Sequence, residues 1–179
     1  MRILLMCEGQ NEEVLLNNLL DADALCFTRD DLIGRRPYPI RQLSNPTIKS
    51  ELKHYGLPVK IYRVGDKQND KLSIPKDLKG IVSSREIYKY CTKPELEMLF
   101  ILAENLEQDF EKLKSLMKAK TFAKEHISIG KRNYDNSTAF YTEYFGENPK
   151  LLVDCIKNTT SIMVPIIKTN IIWTNFLNN

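Results

Sequence analysis

Carboxylates dominate the residues of this chain that could do chemistry. Glu8 ends the apolar run Ile3-Leu4-Leu5-Met6-Cys7 and is followed by Gly9-Gln10-Asn11-Glu12-Glu13. Asp66 and Asp70 come directly after Val59-Lys60-Ile61-Tyr62-Arg63-Val64-Gly65. Glu95 and Glu97 come just after Glu86-Ile87-Tyr88-Lys89-Tyr90-Cys91 and Thr92-Lys93-Pro94. Acids gathered in a partly desolvated place repel strongly, and a fold relieves that by protonating them or by binding a cation. Oxygen ligands with no Cys or His beside them select Mg²⁺ or Mn²⁺ over zinc. One or two such ions can activate a water and stabilise in-line displacement at a phosphodiester. Each acid also has a plainer role open to it. Glu12, Glu13, Glu95 and Glu97, in first turns of helices, complement the helix dipole by roughly 0.3–1 kcal/mol each. Asp66 and Asp70 can close a turn by bonding their own backbone. Glu8 is poorly explained by packing alone.

The elements that must position these acids follow from hydrophobic period. Ile3 to Met6 is continuous and short, as in a strand buried on both faces of a parallel sheet. After Gly9 the period changes, and Leu15, Leu16, Leu19 and Leu20 recur at helical spacing over about 11–21. Strand, tight turn and helix in that order place Glu8 at a strand's carboxyl end, where open α/β sheets put their ligands. Ala24 to Thr28 reads as a second short strand. Asn45-Pro46 opens a helix as N-cap and first position, Ile48, Leu52 and Tyr55 give its buried face, and Gly56 closes it. A strand is expected over 59–64, a short helix over 74–81 and another strand over 86–91. The longest helix is expected over roughly 94–117, with Leu96, Leu99, Phe100, Leu102, Ala103, Leu106, Phe110, Leu113 and Met117 as its apolar face. Further helices are expected over 122–127, from Ser137-Thr138 to Gly146, and around 151–156. In a parallel sheet every strand ends on the same edge, so Glu8, Asp66 with Asp70, and Glu97 would converge.

Two segments carry basic residues that suit phosphate. Arg29, Arg35, Arg36 and Arg41 stand in a stretch broken by Gly34, Pro37 and Pro39, with Tyr38 among them. Such a stretch reads as a surface loop, its arginines either on phosphates and bases or paired with Asp30 and Asp31. Lys118, Lys120, Lys124, Lys131 and Arg132 form the second group, with 130–136 read as a loop. The totals exclude little else. The 179 residues, 42% apolar and 27% charged, suit one globular domain. A net charge of +3 neither demands nor opposes nucleic acid. Cys7, Cys26, Cys91 and Cys155 are too scattered for a zinc site or a disulfide framework, which fits reduced thiols in a cytoplasm. The first apolar run is too short for a signal peptide, and none approaches the ~20 residues of a membrane span.

The run Cys7-Glu8-Gly9-Gln10-Asn11-Glu12 resembles the first motif of Toprim domains, a hydrophobic strand followed by Glu-Gly-x-x-Asp/Glu. It is closer still to the Glu-Gly-x-Thr-Glu form of Toprim-like proteins in bacterial defence islands, among them RloB-like and OLD-family nucleases. Lys93-Pro94-Glu95-Leu96-Glu97-Met98-Leu99-Phe100-Ile101-Leu102 resembles the later Pro-x-Phe-Glu-x-Trp-Leu-Leu-Leu segment of RloB-like chains. The resemblance covers at most residues 1–103. It implies a compact α/β fold with a mostly parallel sheet flanked by helices. The chain itself is expected to divide into a core over 1–117 and a helical extension over 118–179 packed on that core. The resemblance also implies Mg²⁺-dependent (or Mn²⁺-dependent) phosphoryl transfer. Glu8 then matches the acid/base or metal-ligand glutamate, and Asp66 the first aspartate of Asp-x-Asp. Position 68 is Gln68, so the second aspartate of that motif is replaced, with Asp70 the next acid. The implied site is Glu8, Asp66 and Lys131 for catalysis, and Glu8, Glu12, Asp66, Asp70 and Glu97 around the metal. The implied partner is DNA or RNA, a homodimer being compatible. The alternative is a non-catalytic Toprim-like module serving an ATPase.

Overall fold

The computed structural model describes residues 1–65, 71–91 and 95–163. Its centre is three parallel strands: β1 (Ile3–Cys7), β2 (Val59–Gly65) and β3 (Val82–Cys91), with β2 in the middle. Cys7 lies opposite Val64, and Val64 opposite Tyr90, so all three strands finish on one edge. All five residues of β1 are buried, as its unbroken apolar run requires of a strand covered on both faces. Alternation along the strand then sends Ile3, Leu5 and Cys7 to one side and Leu4 and Met6 to the other.

Helices cover both faces. On the first side lie Leu15, Leu16, Leu19 and Leu20 of α1 (Gln10–Asp21). On the second lie Ile48 and Leu52 of α2 (Pro46–Tyr55), with Ile33, Tyr38 and Leu43. The ends of α2 are written in its sequence. Asn45 Oδ1 accepts from the Thr47 amide at 2.9 Å, Pro46 takes the first helical position, and Gly56 turns left-handed at φ +68°. The fold is therefore α/β, a parallel sheet flanked by helices. Among the described residues no helix is long and apolar enough to cross a membrane.

Four local expectations need correcting. Residues 24–28 form no strand, only an isolated bridge at Leu25 and a bend at Cys26 and Phe27, although Leu25 and Phe27 are buried. The 29–41 stretch is not a surface loop. It makes two 3-10 turns, Arg29–Asp31 and Ile33–Arg35, and buries Leu32, Ile33 and Tyr38. Its backbone then closes the outer margin of β1, Tyr38 N donating to Leu5 O at 2.9 Å and Cys7 N to Tyr38 O at 2.8 Å. The short helix expected over 74–81 shrinks to one 3-10 turn, Lys76–Leu78, and β3 begins at Val82, four residues before the expected start. The long helix of 94–117 is two helices, α3 (Glu97–Ala103) and α4 (Glu107–Leu113). Asn105 breaks it at φ +56°, and the Leu106 amide donates back to Ile101 O at 2.9 Å. The break lets one apolar stretch serve two clusters. Leu99, Phe100 and Leu102 join the main core, whereas Ile101, Phe110, Leu113 and Met117 gather on Phe122.

The remainder is α5 (Ala119–His126), a small hairpin of β4 (Ser128–Ile129) and β5 (Arg132–Asn133), then α6 (Thr138–Gly146) and α7 (Pro149–Met163). Ser137 caps α6, its Oγ accepting from the Phe140 amide at 3.2 Å. Phe140, Tyr141, Phe145, Leu152 and Ile156 share one core with α1 and α3, on the first side of the sheet. Phe100 sits at its hub, its ring 4.8–5.6 Å from those of Tyr134, Phe140, Tyr141, Tyr144 and Phe145. Such tilted and edge-on pairs each add about 0.5–1.5 kcal/mol beyond the area they bury. Residues 118–163 thus help to enclose the carboxyl edge of the sheet. Residues 164–179 of the helical extension expected over 118–179 lie outside the described residues.

Candidate functional site at the carboxyl edge of the sheet

Glu8 is the first residue beyond β1, and its side chain is only 10% exposed. Arg41 holds it: Nη2 donates to Oε1 at 2.9 Å, and Nε donates to the Glu8 carbonyl at 3.4 Å. The Arg41 side chain itself is 62% exposed. Tyr38, anchored by its backbone to β1 three residues earlier, fixes where Arg41 starts. The Glu8 carboxylate leans over the end of β2. A Cβ added to Gly65 would come within 2.8 Å of Glu8 Oε2. Glycine at that position therefore makes room for the glutamate of the neighbouring strand, and Asp66 is the next residue in the chain.

Beside Glu8 opens a cleft of about 1020 Å³. Its walls include Gly9, Asn11 and Glu12 from the start of α1, Glu95 and Glu97 from the start of α3, Asn136 before α6, Tyr141 from α6, and the cations Arg41 and Lys120. Glu12 Oε2 folds back over Gly9, where an added Cβ would meet it at 2.9 Å. Asn11 Nδ2 donates to the carbonyl and to Oδ1 of Asn136, each at 3.2 Å, and so ties α1 to the loop before α6.

Glu97 is 7% exposed and belongs to a buried polar network. The Tyr134 hydroxyl lies 3.0 Å from Glu97 Oε1, 2.8 Å from Asn136 Oδ1 and 3.0 Å from the Tyr141 hydroxyl. That hydroxyl has one proton, so it donates to one carboxylate or amide oxygen at a time while exchanging a bond with Tyr141. Burial is the main cause that pushes both phenols well above the usual tyrosine range. The Tyr141 phenol is raised further by the negative charges of Glu97 and Glu12, and the Tyr134 phenol by Tyr141 and Glu97. Both phenols stay neutral and serve as hydrogen-bond donors. Phe100 packs beneath them and fixes their rings.

The structure thus brings Glu12, Glu95 and Glu97 to one cleft and sets Glu8 at its border through Arg41. It does not bring Lys131 there. Lys131 is exposed at the tip of the β4–β5 hairpin, and Lys120 is the lysine of the cleft wall. Asp66 and Asp70 lie outside the described residues. The hard oxygen donors at this edge are of the kind that suits Mg²⁺ or Mn²⁺. Among the described residues, however, no three acidic, His or Cys side chains are grouped to hold a metal ion. Tyr134, Asn136 and Tyr141 were not singled out by sequence. Tyr134 and Asn136 lie in the segment expected to be a loop over 130–136, and Tyr141 in the helix expected from Ser137-Thr138 to Gly146.

The other sequence basics are largely spoken for. Arg29 binds Asp21 at 2.6 Å and Asn17 Oδ1 at 3.0 Å, and Arg35 binds Asp30 at 2.8 Å. Asp31 instead accepts from Thr28 in a capping box. Arg132 is held by Asp135 and Glu143, at 2.8 and 3.1 Å. No family model, curated protein or solved structure matches this chain at a significant level.

Proposed function

We propose that the chain is a Toprim-like nuclease, dependent on Mg²⁺ or Mn²⁺, that cleaves DNA or RNA in defence against phage or other mobile elements. One observation carries the reading: the Glu8 carboxylate occupies the space over Gly65, the residue before Asp66. The acid after β1 is therefore aimed at the end of the neighbouring strand, as a shared divalent ion needs. By the sequence resemblance Glu8 and Asp66 would hold that ion, with Glu12, Glu97 and Asp70 around it. Bound there, the ion would polarise a phosphoryl oxygen and lower the pKa of a water. The chain's own part is to orient. Arg41 fixes the Glu8 carboxylate, Tyr134 fixes Glu97, and Arg41 and Lys120 give the cleft a positive side.

The test is cleavage of plasmid, single-stranded DNA and tRNA with Mg²⁺ or Mn²⁺. Glu8→Ala and Asp66→Ala are each expected to slow cleavage by on the order of a hundredfold or more. Cleavage that survives both substitutions removes the proposal.

A second reading has its own support. Glu8 already has a guanidinium and Glu97 a phenol, so neither described acid waits for a cation. That suits a non-catalytic Toprim-like module that regulates or accompanies an ATPase. Such a module would show no Mn²⁺-dependent rise in melting temperature and would co-purify with a neighbour-encoded protein.

A further inference from the structure

Of the nine arginines and lysines in the two basic stretches, only two line the cleft, Arg41 and Lys120. Arg41 uses one edge of its guanidinium, Nε with Nη2, on Glu8. On its other edge Nη1 makes no hydrogen bond to the described residues, Nη2 keeps a second N–H beside it, and the side chain is 62% exposed. A guanidinium has two such forks, and each can grip a pair of oxygens. Lys120, exposed on the second residue of α5, is a point charge rather than a fork.

We propose that Arg41 is a positioning residue that grips Glu8 with one fork and a phosphate oxygen pair of the nucleic acid with the other, with Lys120 as the second cation of that phosphate subsite. The proposal rests on the nuclease reading for its substrate class. Its logic is one of register. One planar group bonded to both the acid and the phosphate sets the distance between them, which two separate cations would not do. Glu12, Glu95 and Glu97 line the same cleft and repel a phosphate. The phosphate is therefore held on the Arg41 side.

The proposal makes Glu8 and Arg41 act in opposite directions on binding. The probe is a fluorescein-labelled single-stranded oligonucleotide, bound without cleavage at low salt in EDTA and followed by anisotropy across a salt series. Arg41→Gln is expected to weaken binding by on the order of tenfold. It should also lower the slope of log K against log salt by about 0.7, the share of one phosphate contact on a single strand. Glu8→Gln keeps an acceptor for Arg41, removes a negative charge and is expected to tighten binding. Arg41→Lys restores charge without the fork and should recover the salt slope but only part of the affinity. Lys114→Gln removes one positive charge just after α4, at a residue that does not line the cleft, and serves as the control. If Arg41 only clasped Glu8, both substitutions would lower the melting temperature and leave the salt slope alone, and that result overturns the proposal. An oligonucleotide that does not bind the wild-type chain overturns it too. Binding that follows this pattern while no metal supports cleavage keeps the phosphate subsite and removes the nuclease.

Discussion

Glu8 and Glu97 are both largely buried carboxylates near the carboxyl edge of one sheet, and they are held by opposite means. Glu8 is gripped by an arginine that is itself mostly in water. Glu97 is bonded by Tyr134, a phenol 2% exposed, whose ring packs on the hub of the aromatic core. An exposed guanidinium can swing to a new partner at little cost, because water replaces what it leaves. A buried phenol cannot, since a lost partner leaves a polar atom unsatisfied. The Glu8 side of the cleft is therefore adjustable and the Glu97 side is fixed. The cleft thus has one wall that can adjust and one that cannot.

The strongest way to break this contrast is to remove the hub. Phe100→Ala is expected to cost about 3–5 kcal/mol, read as a lowered denaturant midpoint, and to loosen the whole Glu97 side. If the loss is below about 1 kcal/mol, the aromatic cluster is not what fixes Glu97. Next in size, Tyr134→Phe is expected to cost about 1–3 kcal/mol. A double-mutant cycle with Glu97→Gln should show coupling of at least about 0.5 kcal/mol, whereas the cycle of Tyr134→Phe with Arg41→Gln should be additive. Coupling in both cycles would mean that the two sides move together.

Gly65→Ala tests the Glu8 side alone. The new Cβ would stand 2.8 Å from Glu8 Oε2, so the carboxylate must shift, at an expected cost of about 1 kcal/mol. Cleavage, if present, should fall far more than stability does. A variant with wild-type activity would show that the position of Glu8 over Gly65 is immaterial. The smallest effect is in alkali. Tyr134 is raised in the folded chain, so its contribution to stability is complete below the unfolded value of about 10 and fades as pH climbs above it. Tyr134→Phe should flatten the decline of stability over that range, and an unchanged slope would show that the phenol ionises as readily folded as unfolded.

Much of the frame is legible in the residues themselves. The unbroken apolar run Ile3–Cys7 and the switch of period after Gly9 give β1 and α1. Asn45, Pro46 and Gly56 mark both ends of α2 because caps act locally. The break at Asn105 was hidden, because apolar residues kept a helical spacing on both sides while serving two different clusters. The 29–41 stretch differs from the surface loop its composition suggests because its pairing with β1 uses backbone atoms, which side-chain pattern does not report. At the site, sequence order already gave Glu8, Glu12 and Glu97 as acids at strand or helix ends. The Arg41 clasp joins residues 33 positions apart and the Tyr134–Glu97 bond residues 37 apart, so no spacing rule announces them.

The Tyr38 clasp on β1 has a bearing on self-association. A sheet border with unused amide and carbonyl groups is a template for strands of other molecules, and here one such border is already taken by the chain's own irregular segment. Among the described residues, the flank on which no strand is paired is the opposite one, along Val82–Cys91, where Tyr88 is 39% exposed.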